Sequence, residues 1–221
     1  MVEPKKIVTE GYDGIAPEYL ELVKSMGSTI RTKYLEMLIV LLSPGAMILE
    51  LGCGTEIPMT RRLIDEGFKV TGVDISPEQL ALAEKNVPEA NLILGDMTTL
   101  EFDDNSCDAV TAFYSITHIP RIEHPDLITS IFKILKPGGI LVANLGKDDL
   151  PDSVEDDWLG KPMFFSHYDA DTSEAMIRKT GFEIISADDE PEMEYDRPVC
   201  FRWFVALKPD TNQQNAGGNQ N

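Results

Sequence analysis

Residues 48 to 67 read "ILELGCGTEIPMTRRLIDEG". A short apolar run enters a glycine turn, and a helix-forming run leaves it. With Ala46 and Met47 included, the run "AMILEL" is apolar at every position but Glu50, as in a strand buried on both faces. Gly52 and Gly54 allow the backbone to turn tightly and approach a ligand. The helix that follows runs to about Glu66 and is closed by Gly67, a residue favoured just past a helix end. Strand, glycine turn and helix form the opening unit of a parallel α/β sheet. One letter is unusual, because Glu56 stands where a third small residue belongs.

The rest of the chain continues the alternation. "KVTGVDI" (69–75) is a second strand, and "SPEQLALAEKNV" a helix with Ser76 as cap, Pro77 at its first position and Gln79 completing a capping box. "ANLILGD" (90–96) and "CDAVTAFYS" (107–115) are third and fourth strands. A helix over about 123–136 carries Leu127, Ile128, Ile131, Ile134 and Leu135 on one face and stops at "KPGG". "GILVANLG" is a fifth strand, 147–170 a long irregular acidic and aromatic stretch, and "DTSEAMIRKTG" a last helix. "FEIISA" and "VCFRWFVALK" lack a crossover helix between them, so they close the sheet as an antiparallel hairpin. Upstream, 28–42 is a helix with Ile30, Tyr34, Leu38 and Leu41 or Leu42 on one stripe. The expected fold is a Rossmann-like, doubly wound, seven-stranded α/β sheet, mostly parallel. A single domain over 1–208 would carry a helical cap (1–44), an insertion over the site (147–170) and a disordered tail (209–221).

Composition narrows the function. Nineteen basic residues stand against 38 acidic ones, a formal charge of -19. Such a chain has no cationic surplus to neutralise nucleic-acid or membrane phosphates. No apolar run reaches the ~18 residues of a membrane span, and the first residues have no signal-peptide core. Cys53, Cys107 and Cys200 form no CxxC pair, and His118, His124 and His167 have no metal-ligand spacing. We therefore expect no metal, no nucleic acid, no membrane partner and a cytoplasmic location; the sequence leaves the oligomeric state open.

In such a sheet, ligands sit beyond the carboxyl ends of the strands. Asp74, 20 residues after Gly54, ends the second strand, where a carboxylate accepts hydrogen bonds from a ribose diol. An adenosine-type ligand is indicated, and Glu56 discriminates among such ligands. A dinucleotide would set its pyrophosphate at this helix start, and a carboxylate a few Å away would cost on the order of several kcal/mol. S-adenosylmethionine has no phosphate and tolerates the acid. Glu56 either complements the helix dipole from the first turn, in which case exchanging it for glycine should change affinity by no more than a few-fold, or contacts the cofactor's ammonium, or alters cofactor binding.

"ILELGCGT", "VTGVDIS", "LILGDM", "FDDNSCDAV" and "LKPGGIL", in this order, resemble the motifs of class I S-adenosylmethionine-dependent methyltransferases over roughly 46–145. "YDGIAPEY" (12–19) resembles the cap segment of small-molecule members. The resemblance implies S-adenosylmethionine as cofactor and a small-molecule acceptor. It implies that Glu50 orients the methionine amino group while Gly52, Cys53 and Gly54 pass beneath the methionine. Asp74 would hold the ribose hydroxyls and Ile75 would pack on adenine. Asp96 would accept from the adenine amino group, with the Met97 amide on a ring nitrogen. Phe113 and Tyr114 would line the cavity near the methyl, and Tyr12 would close over the cofactor. The accepting atom, oxygen, nitrogen or sulfur, stays open.

His167 and His118 are the candidate general bases, each weighed against a histidine that only bonds its neighbours. His124 reads as a surface residue. Trp158, Phe165 and Tyr168, with Met163 and Phe164, are candidates for an apolar substrate wall. Asp148, Asp149, Glu155, Asp156 and Asp157 either attract an amine or form a solvated face. Two rival readings are a non-catalytic cofactor-binding protein and a nicotinamide-dependent oxidoreductase, the latter disfavoured by Glu56 and "GDM"; a protein methyltransferase is a further alternative.

Overall fold

A computed structural model describes residues 3–26, 29–55, 58–194 and 197–210. Glu56 and nearly all of the expected tail fall outside them. The strands are β1 (Met47–Leu51), β2 (Lys69–Asp74), β3 (Asn91–Leu94), β4 (Cys107–Ala112), β5 (Leu135–Gly146), β6 (Leu150–Trp158), β7 (Lys161–His167), β8 (Glu183–Glu194) and β9 (Arg197–Leu207). The helices are α1 (Pro4–Asp13), α2 (Ala16–Met26), α3 (Thr29–Leu41), α4 (Met59–Asp65), α5 (Pro77–Asn86), α6 (His124–Ile134) and α7 (Ala170–Thr180).

Seven strands form one sheet in the order β3-β2-β1-β4-β5-β9-β8. The first five are parallel, and β9 joins them antiparallel to both β5 and β8. Strand order reverses between β1 and β4, and the cleft described below opens there.

The alternation of side chains along the strands builds two cores. Leu49, Val110, Leu141, Ala143, Phe204 and Ala206 face one side, where Leu127, Ile128 and Ile131 of α6 and Ile177 of α7 cover them. Ile48, Ala109, Ile140, Val142, Trp203 and Val205 face the other, under Tyr34, Leu35 and Leu38 of α3 and Leu63 of α4. Tyr34 stacks on Trp203 with ring centroids 4.5 Å apart. α3 thus belongs to the packed layers of the sheet. At full burial these large apolar side chains each contribute roughly 1.5–3 kcal/mol.

Two expectations need correction. Residues 147–170 are not irregular: β6 and β7 pair as an antiparallel hairpin. The acids of β6 point mostly to water and hide its alternation, which leaves Trp158 as the buried residue of that strand. The helix before "KPGG" ends at Ile134, and Leu135 already belongs to β5. No helix among the described residues is long and apolar enough to cross a membrane.

Candidate active site

β1 delivers Glu50 and the glycine loop to the cleft. Gly52 has φ +75°, and a Cβ there would lie 2.3 Å from Ser115 Cβ, so only glycine fits. Ser115 fixes the approach by donating to the Leu51 carbonyl at 2.7 Å. Gly52 N–H and Cys53 N–H both point at the Val73 carbonyl, at 2.8 and 3.0 Å. Gly54 N–H donates to Asp74 Oδ2 at 2.8 Å. All three loop amides are therefore committed within the chain, and none is left to form a phosphate nest.

Asp74 also accepts from Ser76 N–H through Oδ1, at 2.9 Å. Burial pushes this carboxyl up to about 6 despite those backbone donors. Glu50 accepts from Thr60 Oγ1 through one oxygen and from Thr111 Oγ1, at 3.5 Å, through the other. At the end of β3, Asp96 Oδ1 accepts from Thr98 N–H and Thr98 Oγ1, both at 2.9 Å. Asp96 Oδ2 pairs with Lys5 Nζ at 2.8 Å. Although partial burial alone would raise it, the Lys5 ammonium and Thr98 hold Asp96 below the usual carboxylate range.

The cleft encloses about 1090 Å³ of space, open solvent included. Its wall includes every residue the resemblance assigned to the cofactor: Tyr12, Glu50, Gly52, Cys53, Gly54, Asp74, Ile75, Asp96, Met97 and Phe113. Three acids on that wall, a loop with its amides committed and a buried carboxamide (Gln79) suit a ligand with cationic and hydroxyl groups. Those are the groups of S-adenosylmethionine, whereas a pyrophosphate would find the amides of Gly52, Cys53 and Gly54 already taken.

Tyr114 and His118 line the same cleft. Tyr114 sits at φ +56°, a conformation costly for a bulky side chain. Its N–H is held by Asn144 Oδ1 at 2.7 Å and its hydroxyl by Glu192 Oε1 at 2.5 Å. His118 Nδ1 faces the Phe164 carbonyl at 2.8 Å and so must carry the proton. Nε2 then accepts from the Tyr12 hydroxyl at 3.0 Å. Burial pushes His118 down to about 4, which keeps the ring neutral.

The other candidates lie elsewhere. His167 does not line the cleft; its ring packs on Gly146, where an added Cβ would lie 2.0 Å from Cε1. The spacing that suggested it counted the insertion as a cover, whereas β7 turns this side chain toward β5. Trp158 and Phe165 form a second layer behind the wall: Trp158 is 5.6 Å from the Tyr12 ring, and Phe165 is 4.8 Å from His118. Tyr168 is remote, beneath the Arg121 guanidinium at 5.0 Å. His124 is not a surface residue but is buried at the start of α6, its Nε2 3.0 Å from the Ile119 carbonyl. Asp148, Asp149, Asp156 and Asp157 are exposed, half-buried Glu155 pairs with Arg197 at 2.9 Å, and none of the five lines the cleft.

The sequence reading missed Lys5, Tyr19, Arg31 and Gln79, all of which line the cleft. Tyr19 lies inside the quoted cap segment, and the capping-box spacing had already singled out Gln79. Arg31, whose guanidinium lies 4.3 Å over the Tyr114 ring, carries no signal that sets it apart from Lys33 on the same helix.

Comparison with known proteins agrees with this geometry. Residues 49–143 match the family described as the methyltransferase domain. The chain is 33% identical over 133 residues to a demethylmenaquinone methyltransferase of Renibacterium salmoninarum, covering 59% of this chain and 55% of that protein. It is 36% identical to the 2-methyl-6-phytyl-1,4-hydroquinone methyltransferase of Synechocystis, over 46% of this chain and 32% of that protein. The chain thus spans about half the length, or less, of the curated relatives it matches. A 1,6-didemethyltoxoflavin-N1-methyltransferase from Burkholderia thailandensis, solved with S-adenosylhomocysteine, superposes with TM-score 0.70 at 14% identity. That alignment covers 95% of this chain and 92% of that one, a likeness that speaks to the fold. With a Rossmann-like sheet, a match to the methyltransferase domain over 49–143 and the motif residues gathered in one cleft, the chain is similar to the class I S-adenosylmethionine-dependent methyltransferases.

Proposed function

We propose that this chain transfers a methyl group from S-adenosylmethionine to a small-molecule acceptor. The observation that carries the reading is the shared cleft: Glu50, the Gly52–Gly54 loop, Asp74, Asp96, Tyr12, Tyr114 and His118 all line it. S-adenosylmethionine supplies a methyl group already activated by its sulfonium. The protein's task is to orient the partners and, where the acceptor carries a proton, to receive it.

Glu50, Asp74 and Asp96 supply acceptors for amino and hydroxyl groups, and Ile75 and Met97 supply apolar contact. Tyr12 and His118 act as a pair. The Phe164 carbonyl fixes the tautomer of the neutral His118, so Nε2 accepts from the Tyr12 hydroxyl and holds it in place beside the acceptor. Tyr19, Phe113, Tyr114 and Ile119 suit an aromatic or partly apolar acceptor. The hydroquinone and menaquinone relatives support that class, and a 24-methylenesterol C-methyltransferase relative adds carbon to the candidate accepting atoms. The formal charge of -19 supports the absence of nucleic-acid and membrane partners, and three free thiols support a cytoplasmic location.

The test is calorimetric titration with S-adenosylhomocysteine, with NAD as control. Radiolabelled methyl transfer to hydroquinones, phenols, thiols and amines follows. Micromolar binding of the first ligand alone, with turnover on one acceptor class, is expected. Binding without turnover on any class would favour a non-catalytic cofactor-binding protein.

A further inference from the structure

Gln79, the third residue of α5, is 1% exposed, yet neither Nε2 nor Oε1 has a hydrogen-bond partner. A capping box would send this carboxamide back to the Ser76 N–H. Half of the box is made, since Ser76 Oγ accepts from Gln79 N–H at 3.1 Å. The other half is blocked, because the Ser76 N–H is already given to Asp74 Oδ1 at 2.9 Å. The carboxamide lies instead on the cleft wall, with Oε1 3.8 Å from where a side chain on Gly54 would begin. Gly54 is also the residue whose N–H holds Asp74 Oδ2. Leaving a buried amide with donors and acceptor all unmet is costly, so a site that keeps one is shaped for a partner outside the chain.

We propose that Gln79 is a cofactor-binding residue that reads the ribose diol jointly with Asp74; the inference rests on the cofactor reading above. Ionised Asp74 only accepts, so it receives hydroxyl hydrogens but gives none to the hydroxyl oxygens. Gln79 brings two N–H donors and one acceptor beside it. Together they match both halves of a vicinal diol, and a sugar lacking one hydroxyl leaves a buried polar group unmatched.

The experiment titrates S-adenosylhomocysteine and its 2′-deoxy and 3′-deoxy analogues into the wild-type chain, Gln79→Met and Gln79→Leu. Two apolar variants guard against a folding failure in one, and thermal midpoints are recorded alongside. The wild type is expected to prefer the parent ligand over at least one deoxy analogue by tenfold or more. Gln79→Met should weaken the parent about tenfold and reduce that preference to threefold or less, with an unchanged or higher midpoint. Unchanged affinity for the parent overturns the proposal. So does an equal loss for parent and deoxy ligands, which puts Gln79 off the ribose. A wild type that binds none of the three ligands overturns the cofactor reading itself, a result distinct from any variant difference.

Discussion

Around the glycine loop, main-chain groups do the holding: Gly52 and Cys53 bond the Val73 carbonyl, and Gly54 and Ser76 bond Asp74. Around Tyr12, side chains do it. Tyr12, Tyr19, Trp158, His118 and Phe165 meet ring to ring, and two hydrogen bonds each fix His118 and Tyr114. A backbone-built region tolerates few exchanges because its geometry is the polypeptide itself. A side-chain-built region can be re-cut residue by residue without unfolding the sheet. Within one cleft, the part that would hold a common cofactor is rigid and the part that would hold a particular acceptor is adaptable.

Mutations can break or sharpen this contrast. Gly52→Ala should have the largest effect, since it combines a Cβ at positive φ with contact against Ser115. We expect a loss of about 3 kcal/mol of stability in denaturant titrations, from both strain terms, and no measurable S-adenosylhomocysteine binding. Asp74→Asn should weaken that binding about a hundredfold, because the carboxylate is the shared acceptor of two backbone donors and the ligand. The same carboxylate gives the pH dependence its sign. With Asp74 at about 6, protonation removes the acceptor, so affinity should fall as pH drops through 6, about tenfold for each further unit. A flat calorimetric profile from pH 7.5 to 5 would remove Asp74 from the binding role.

Tyr12→Phe keeps the ring and removes only the hydroxyl bonded to His118. On a hydroxyl-bearing acceptor, kcat should fall about thirtyfold with cofactor affinity within twofold, below the full worth of a general base. Equal losses in both would make Tyr12 a structural post. His167→Ala should have the smallest effect, changing turnover by less than threefold, because the ring packs on Gly146 outside the cleft.

The same contrast explains what was legible in the sequence. Strand–glycine–helix signals are local, and they placed the parallel strands, the closing hairpin and the glycine loop with little error. Asp74, Asp96 and Tyr12 stood out because motif spacing marks them. The cap and the hairpin are held by contacts between residues far apart in sequence, such as Tyr12 with His118 and Lys5 with Asp96. No periodicity reveals those. The hairpin was missed because acids occupy the outward positions of β6. His167 was misplaced because the face of β7 it occupies depends on a pairing with Leu150 that only the fold sets. Gln79 was noticed for the wrong reason, since its capping partner had been taken by Asp74.

The committed loop amides bear on any attempt at redesign. Swapping side chains along 52–54 would not turn this loop into a dinucleotide cradle, because the donors a pyrophosphate needs belong to the peptide units and already serve the end of β2. Freeing them would require moving the Val73 carbonyl and replacing Asp74, which means rebuilding the junction of two central strands. The preference for a phosphate-free ligand is thus written into the main chain, and it should survive mutations that reshape everything else around the cleft.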